Sequence, residues 1–176
     1  MSGRILGRPR GVWLGIALIA LSSCSTADRV SGPNQSFPSI AADRGLVGHD
    51  LLPCPGTPEA SDEEQIGPAG GTLKFGPHRL VVPPGALDSV VLISAVATAD
   101  SVVSVQFAPE GLTFSRPARL TLSYGVCPFV ASLLPKRVVY TTDALELLEL
   151  LISSDDAVHE KVSADLDHFS RYAVAW

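Results

Sequence analysis

The amino-acid sequence predicts an all-β protein, a single antiparallel β-sandwich that follows a signal peptide and a flexible tether. Three observations carry that expectation. From about Gln65 to Trp176, short apolar runs alternate with clusters of Gly, Pro, Ser and Asp. The runs are rich in Val, Thr and aromatic residues, which suit a pleated, half-buried surface. Their spacing persists over about 110 residues, the size of one two-sheet domain.

Taken in order, strands are expected at "TLKF", "HRLVV", "VVLISAVAT", "VVSVQFA", "ARLTLSY", "KRVVYT", a stretch after Asp143, "HEKVSADL" and "SRYAVAW". Gly70 and Gly71 permit positive φ where the first of these begins. Pro83-Pro84-Gly85 ends the second, because proline lacks the N–H that a ladder requires. Gly111 and Pro117 bracket "LTFSR" as a turn leading to an edge. The ambiguous stretch is "DALELLELLISSDD". Asp143 is a good helix cap, and the leucines fit helical spacing about as well as alternation. Its position between two strand-like runs and its turn-like end, "SSDD", favour a strand pair over a short helix.

The N-terminus has a different composition. Arg4, Arg8 and Arg10 precede the uncharged run "GVWLGIALIAL", which ends in "LSSC", the pattern of a secretory signal. That run is too short for a bilayer that needs roughly twenty residues. Leu21-Ser22-Ser23-Cys24 resembles a bacterial lipobox, so residues 1–23 are expected to be cleaved and Cys24 to be lipidated. Acyl chains there would anchor the protein firmly, at about 0.8 kcal/mol per buried CH2. Ser25, where an aspartate would resemble a retention signal, favours the outer membrane, with the domain facing the periplasm or the cell surface. Residues 24–64 are rich in Ser, Pro, Gly and acid and read as a tether, partly flexible up to Cys54. The sandwich is expected to begin at residue 65.

Charge and cysteine content agree with an envelope protein. The chain has 13 basic and 18 acidic residues; removing residues 1–23 takes three arginines and no acid, which leaves ten against 18 and a net charge of −8. Such an acidic chain has no electrostatic footprint for nucleic acid. With Cys24 lipidated, Cys54 and Cys127 remain as a pair in an oxidising compartment, and a disulfide between them is expected.

Four ordered segments carry a resemblance to a known family. "GPAGGTL" at 67–73, "LVVPPGAL" at 80–87, "APEGLTFSRPARLTLSY" at 108–124 and the terminal "HFSRYAV" resemble the ZU-five domain. That domain is shared by zonula occludens proteins, Unc-five netrin receptors and ankyrins, and it also occurs in bacterial lipoproteins. The resemblance spans essentially the whole body and implies a β-sandwich. In death-domain adaptors similar to this domain, in a related domain of adhesion receptors and in a nucleoporin, a His-Phe-Ser or His-Leu-Thr sequence is cut before the hydroxyl residue. By that resemblance Ser170 would be a nucleophile, Phe169-Ser170 the scissile bond and His168 the general base.

The chemistry has a local rationale. Residues i and i+2 of a strand share a face, so His168 can approach the Ser170 hydroxyl if the backbone kinks between them. A hydroxyl with an adjacent base can attack the preceding carbonyl, and water then hydrolyses the ester. The reaction needs a distorted peptide and a partner for the oxyanion. The alternative expectation is structural: a final strand with Phe169 buried and Ser170 in the ladder.

Other chemistry is not expected. His49, His78, His159 and His168 lack metal-ligand spacing, and no glycine-rich phosphate loop is present, so neither metal nor cofactor is anticipated. "DEE" and "DD" read as solvated turns. Asp88, Asp100 and Asp156 are candidates for calcium at loop ends, without EF-hand spacing. The expected function is therefore that of a non-enzymatic, envelope-anchored binding or scaffolding module. It would be held to the membrane through Cys24 and bind an envelope protein or glycan. The alternatives are an autoproteolytic domain and a purely structural envelope component.

Overall fold

The computed structural model describes residues 50–128 and 134–176. Residues 1–23, Cys24 and the tether up to residue 49 lie outside the described residues. Among the described residues there are eleven strands: β1 (Ala60–Ile66), β2 (Gly71–Phe75), β3 (His78–Val82), β4 (Val91–Ala97), β5 (Ser104–Ala108), β6 (Thr113–Ser123), β7 (Arg137–Thr141), β8 (Leu147–Leu150), β9 (Ser153–Asp156), β10 (Lys161–His168) and β11 (Arg171–Ala175). There is no helix among the described residues. The strands form a six-stranded sheet, β1-β4-β5-β11-β7-β8, and a five-stranded sheet, β2-β3-β6-β10-β9. Every ladder is antiparallel, and the two sheets pack face to face as a β-sandwich.

Alternation along each strand builds the interior. In β10 the buried residues are Val162, Ala164 and Leu166; in β6 they are Phe114, Ala118, Leu120 and Leu122. These side chains meet Ile93, Ala95, Val105, Phe107, Tyr172 and Val174 of the opposite sheet in one core. The last strand departs from alternation, since Tyr172 to Ala175 are all buried. Tyr172 and Val174 face the main core, while Ala173 and Ala175 join Val139 in a second, smaller cluster beneath Leu51, Leu145, Leu147 and Leu150. A strand covered on both faces reads as a continuous apolar run.

Three expectations change. The sandwich begins before residue 65: "ASDEEQI" is β1, an edge strand in full register with β4 from Ala60↔Ala97 to Ile66↔Val91. Only Ile66 is buried there, so the strand has no apolar period to detect; charge on an edge also discourages pairing with another chain. The acids of "DEE" are solvated, but in a strand rather than a turn. Pro117 does not end a connection; it lies inside β6. The ladder to β10 jumps there, from Leu166↔Ala118 to His168↔Thr113, and this bulge removes the need for a proline N–H. The leucine-rich stretch forms two strands, as expected, but they do not pair with each other. β8 joins β7 in one sheet and β9 joins β10 in the other.

At the turn before β2, Gly70 has φ +75° and a Cβ there would meet Val82 O at 2.5 Å, so only glycine fits beneath Pro83-Pro84; Gly71 needs no such freedom.

Cys54 and Cys127 form a disulfide across a separation of 73 residues, with Cα atoms 4.5 Å apart. The incoming chain is also held by backbone bonds: Leu52 N–H donates to Val174 O at 2.8 Å, and Cys54 N–H to Ser101 O at 2.7 Å. Closing a loop of that length contributes on the order of 4 kcal/mol through the unfolded chain. The Cys54→Ala/Cys127→Ala double variant is therefore expected to lose stability of that order in urea unfolding; a loss below about 1 kcal/mol would contradict this account.

Candidate functional site

The tripeptide His168-Phe169-Ser170 occupies the corner where the chain leaves the five-stranded sheet and enters the six-stranded one. β10 ends at His168 and β11 starts at Arg171, so Ser170 lies between strands rather than within the final one. Its carbonyl still accepts from Phe107 N–H at 3.2 Å. Phe169 N–H donates to Leu112 O at 2.8 Å, and Phe169 O accepts from Gly111 N–H at 3.0 Å. The Phe169 side chain is buried, stacked on Phe107 with centroids 4.8 Å apart and edge-on to Phe114 at 4.9 Å.

His168 sits on the carbonyl side of the peptide. Its Nδ1 lies 3.4 Å from Phe169 O, and among the described residues no hydrogen bond joins its ring to the Ser170 hydroxyl. The ring packs edge-on to Tyr140, with centroids 5.3 Å apart, and Tyr172 O–H donates to His168 O at 2.7 Å. Thus Phe169 O has a backbone donor and an imidazole nitrogen close by, the kind of environment that stabilises an oxyanion. None of the three residues has positive φ, and their peptides are trans. The bond carries no backbone outlier of the kind that stores strain.

Beside this corner, Arg171 organises a polar network. Its Nη2 donates to Asp100 Oδ2 at 2.6 Å, Ser104 Oγ at 3.1 Å and Thr98 Oγ1 at 3.3 Å, and its Nη1 donates to Asp143 O at 2.7 Å. The Thr98 and Ser104 hydroxyls also donate to Asp100. The Thr98 hydrogen bond, opposed by burial and aided by Ser104 and Arg171, holds the Asp100 carboxyl below the usual carboxylate range. This aspartate, a calcium candidate by sequence, is engaged by an arginine instead. Asp156 bonds to His159, N–H to Oδ1 at 3.1 Å and ring to Oδ2 at 2.7 Å. Asp155, read from sequence as a solvated turn residue, accepts from Tyr124 O–H at 2.6 Å and Lys136 N–H at 2.8 Å. Among the described residues no three of His, Cys, Asp and Glu converge as a metal site.

Sequence reasoning gave His78 no role, yet it is a buried histidine between the sheets. Its Nδ1 accepts from Ser123 N–H at 3.1 Å, and its ring lies 5.4 Å from that of Phe75. Burial pushes the imidazole down to about 4. No family model matches this chain, and no curated protein matches it.

Two outcomes follow. Phe169→Ala opens a hole between the sheets and is expected to cost about 3–5 kcal/mol in denaturant unfolding. The second concerns pH: the unfolded chain protonates His78 near the ordinary value of about 6.5, whereas the folded one holds it neutral down to about 4. Stability is therefore fully present above pH 6.5 and falls as pH drops toward 4, by on the order of 3 kcal/mol. Below that, the depressed Asp100 carboxyl adds a further loss. His78→Phe is expected to flatten the first slope; an unchanged slope would assign it to other groups.

Proposed function

We propose that the chain is an envelope-anchored lipoprotein whose β-sandwich is a non-catalytic binding or scaffolding module. The observation that carries this reading is the clamp where the anchoring segment meets the domain. Leu51 bridges Ala175, Leu52 bonds to Val174, and Cys54 is bonded to Cys127. A pull transmitted along residues 24–50 would thus enter at an interior strand and a covalent cross-link, not at a frayed edge. The lipobox-like "LSSC" supplies the anchor in this reading, and the order of the four motif segments supports a ZU-five-like module. Partners would be envelope proteins or glycans. They would meet an acidic surface with exposed apolar residues such as Val90 and Leu92.

A second reading, self-cleavage at Phe169-Ser170, draws support from the Gly111 N–H and His168 ring beside the Phe169 carbonyl. One measurement separates the two. Denaturing mass spectrometry of the protein purified from a bacterial host is expected to show a chain beginning at acylated Cys24 and intact through Trp176. Cys24→Ala should move the protein out of the membrane fraction. Loss of Ser170 to Trp176, abolished by Ser170→Ala, would instead establish autoproteolysis; an unmodified Cys24 would refute the anchor.

A further inference from the structure

The outer face of the five-stranded sheet carries a groove of about 250 Å³ lined by Lys74, Arg79, Thr121 and Lys161 and bordered by the Gly76-Pro77 turn. Strand register brings its cations together. Lys74 of β2 stands directly opposite Arg79 of β3, and Arg79 stands opposite Thr121 of β6. Lys161 of β10 lies two residues from Ser163, the partner of Thr121, so alternation puts it on the same face one step along the ladder. All three cations are exposed, whereas their chain neighbours Phe75, Leu80 and Val162 are buried in the core.

Although the chain has an excess of acid, no acidic residue lines this groove among the described residues. Like charges directly opposite on a ladder are destabilising. Yet Lys74, Arg79 and Lys161 make no ion pair and no side-chain hydrogen bond among the described residues. Elsewhere on this sheet charge is compensated, since Arg119 of β6 meets Asp165 of β10 at 2.9 Å. Asp156 of β9 stands opposite Lys161 but is turned to the His159 ring at 2.7 Å. The repulsion within the groove is thus left for a bound anion to relieve. The donor set narrows that anion. A carboxylate has one charge and two oxygens in one plane, enough for a single guanidinium fork. Three cations and a hydroxyl suit a tetrahedral group with three outer oxygens and a charge of about −1.5 to −2 at pH 7. The Thr121 and Ser163 hydroxyls lie 2.9 Å apart; when Ser163 donates, Thr121 keeps its own hydrogen to give. An extended polyanion does not fit, because the acidic chain as a whole repels it.

We propose that this groove binds a phosphate monoester group, carried by a small soluble molecule or by a lipid headgroup. The Arg79 fork takes two of its oxygens, Lys74 and Lys161 flank it, and the Thr121 hydroxyl donates to it. This site goes beyond the anchored-module reading and does not depend on it.

The probe is glycerol 3-phosphate, titrated at neutral pH and constant ionic strength into the oxidised, 15N-labelled full-length chain. Saturable shifts of the Gly76, Arg79 and Lys161 amides are expected, with Kd on the order of millimolar for so exposed a site. Acetate is expected to bind at least about tenfold more weakly. Lys74→Glu, which offers Arg79 a partner across the ladder, should weaken binding at least about tenfold while the spectrum stays that of the folded chain. Lys161→Gln removes one exposed contact and should weaken it roughly fivefold. Arg137→Gln removes an exposed cation of the other sheet and should leave binding unchanged. Dibutyrylphosphatidic acid separates the sources: tighter binding than glycerol 3-phosphate assigns a lipid headgroup, and equal or weaker binding a soluble phosphate. Shifts that do not saturate, equal affinity for acetate, or unchanged affinity in both Lys74→Glu and Lys161→Gln would overturn the proposal. Such a result leaves the anchored-module reading to its own test.

Discussion

Burial of Phe169 at the corner between the sheets is the constraint on which the rest of the sandwich depends. The chain must pass from one sheet to the other within two residues, and both strands it joins are interior ones. A corner of that kind exposes backbone groups unless something receives them. Here residues 107–112 do so, bonding to the Phe169 N–H and to the carbonyls of Phe169 and Ser170. The ring meanwhile touches Phe107 of one sheet and Phe114 of the other, so a single side chain fixes their separation. Full burial of one such ring contributes about 1.5–3 kcal/mol before its aromatic contacts are counted.

The same geometry sets the electrostatics nearby. Because β11 begins directly after the corner, its first residue, Arg171, faces β5 and the loop after β4, where Thr98, Asp100 and Ser104 converge. The guanidinium side chain is 12% exposed and the Asp100 side chain 35% exposed, so the pair is desolvated enough to need its hydroxyl partners. Thr98 and Ser104 also border a small cavity that Thr57, His78 and Val126 help to line. Corner, network and cavity form one connected region reaching toward the disulfide.

Much of this fold was legible along the chain, and the exceptions have physical causes. Alternating runs such as "HRLVV" and "KVSADL" reveal strands because one face of each is buried and the other wet. "ASDEEQI" hides its strand because an edge with five exposed residues in a row leaves no period. Pro117 misleads because the bulge that accommodates it depends on β10, far along the chain. The candidate site was only half legible. "HFS" marks a special place, but adjacency in sequence suggested that the imidazole serves the hydroxyl, whereas the bend directs it to the Phe169 carbonyl. His78 carried no local signal at all, since its meaning comes from the opposite sheet and the Ser123 amide.

By itself the sequence determined the all-β class, the location of most strands and the pairing of Cys54 with Cys127. Periodicity and cysteine arithmetic are local or compositional properties that need no knowledge of neighbours. Only the tertiary structure decided which sheet each strand joins, where the proline is tolerated and which atom His168 approaches. It also decided that a neutral histidine lines a cavity beside the cross-link. Those features depend on contacts between residues distant along the chain, and burial, register and hydrogen-bond partners exist only once the two sheets have closed on each other.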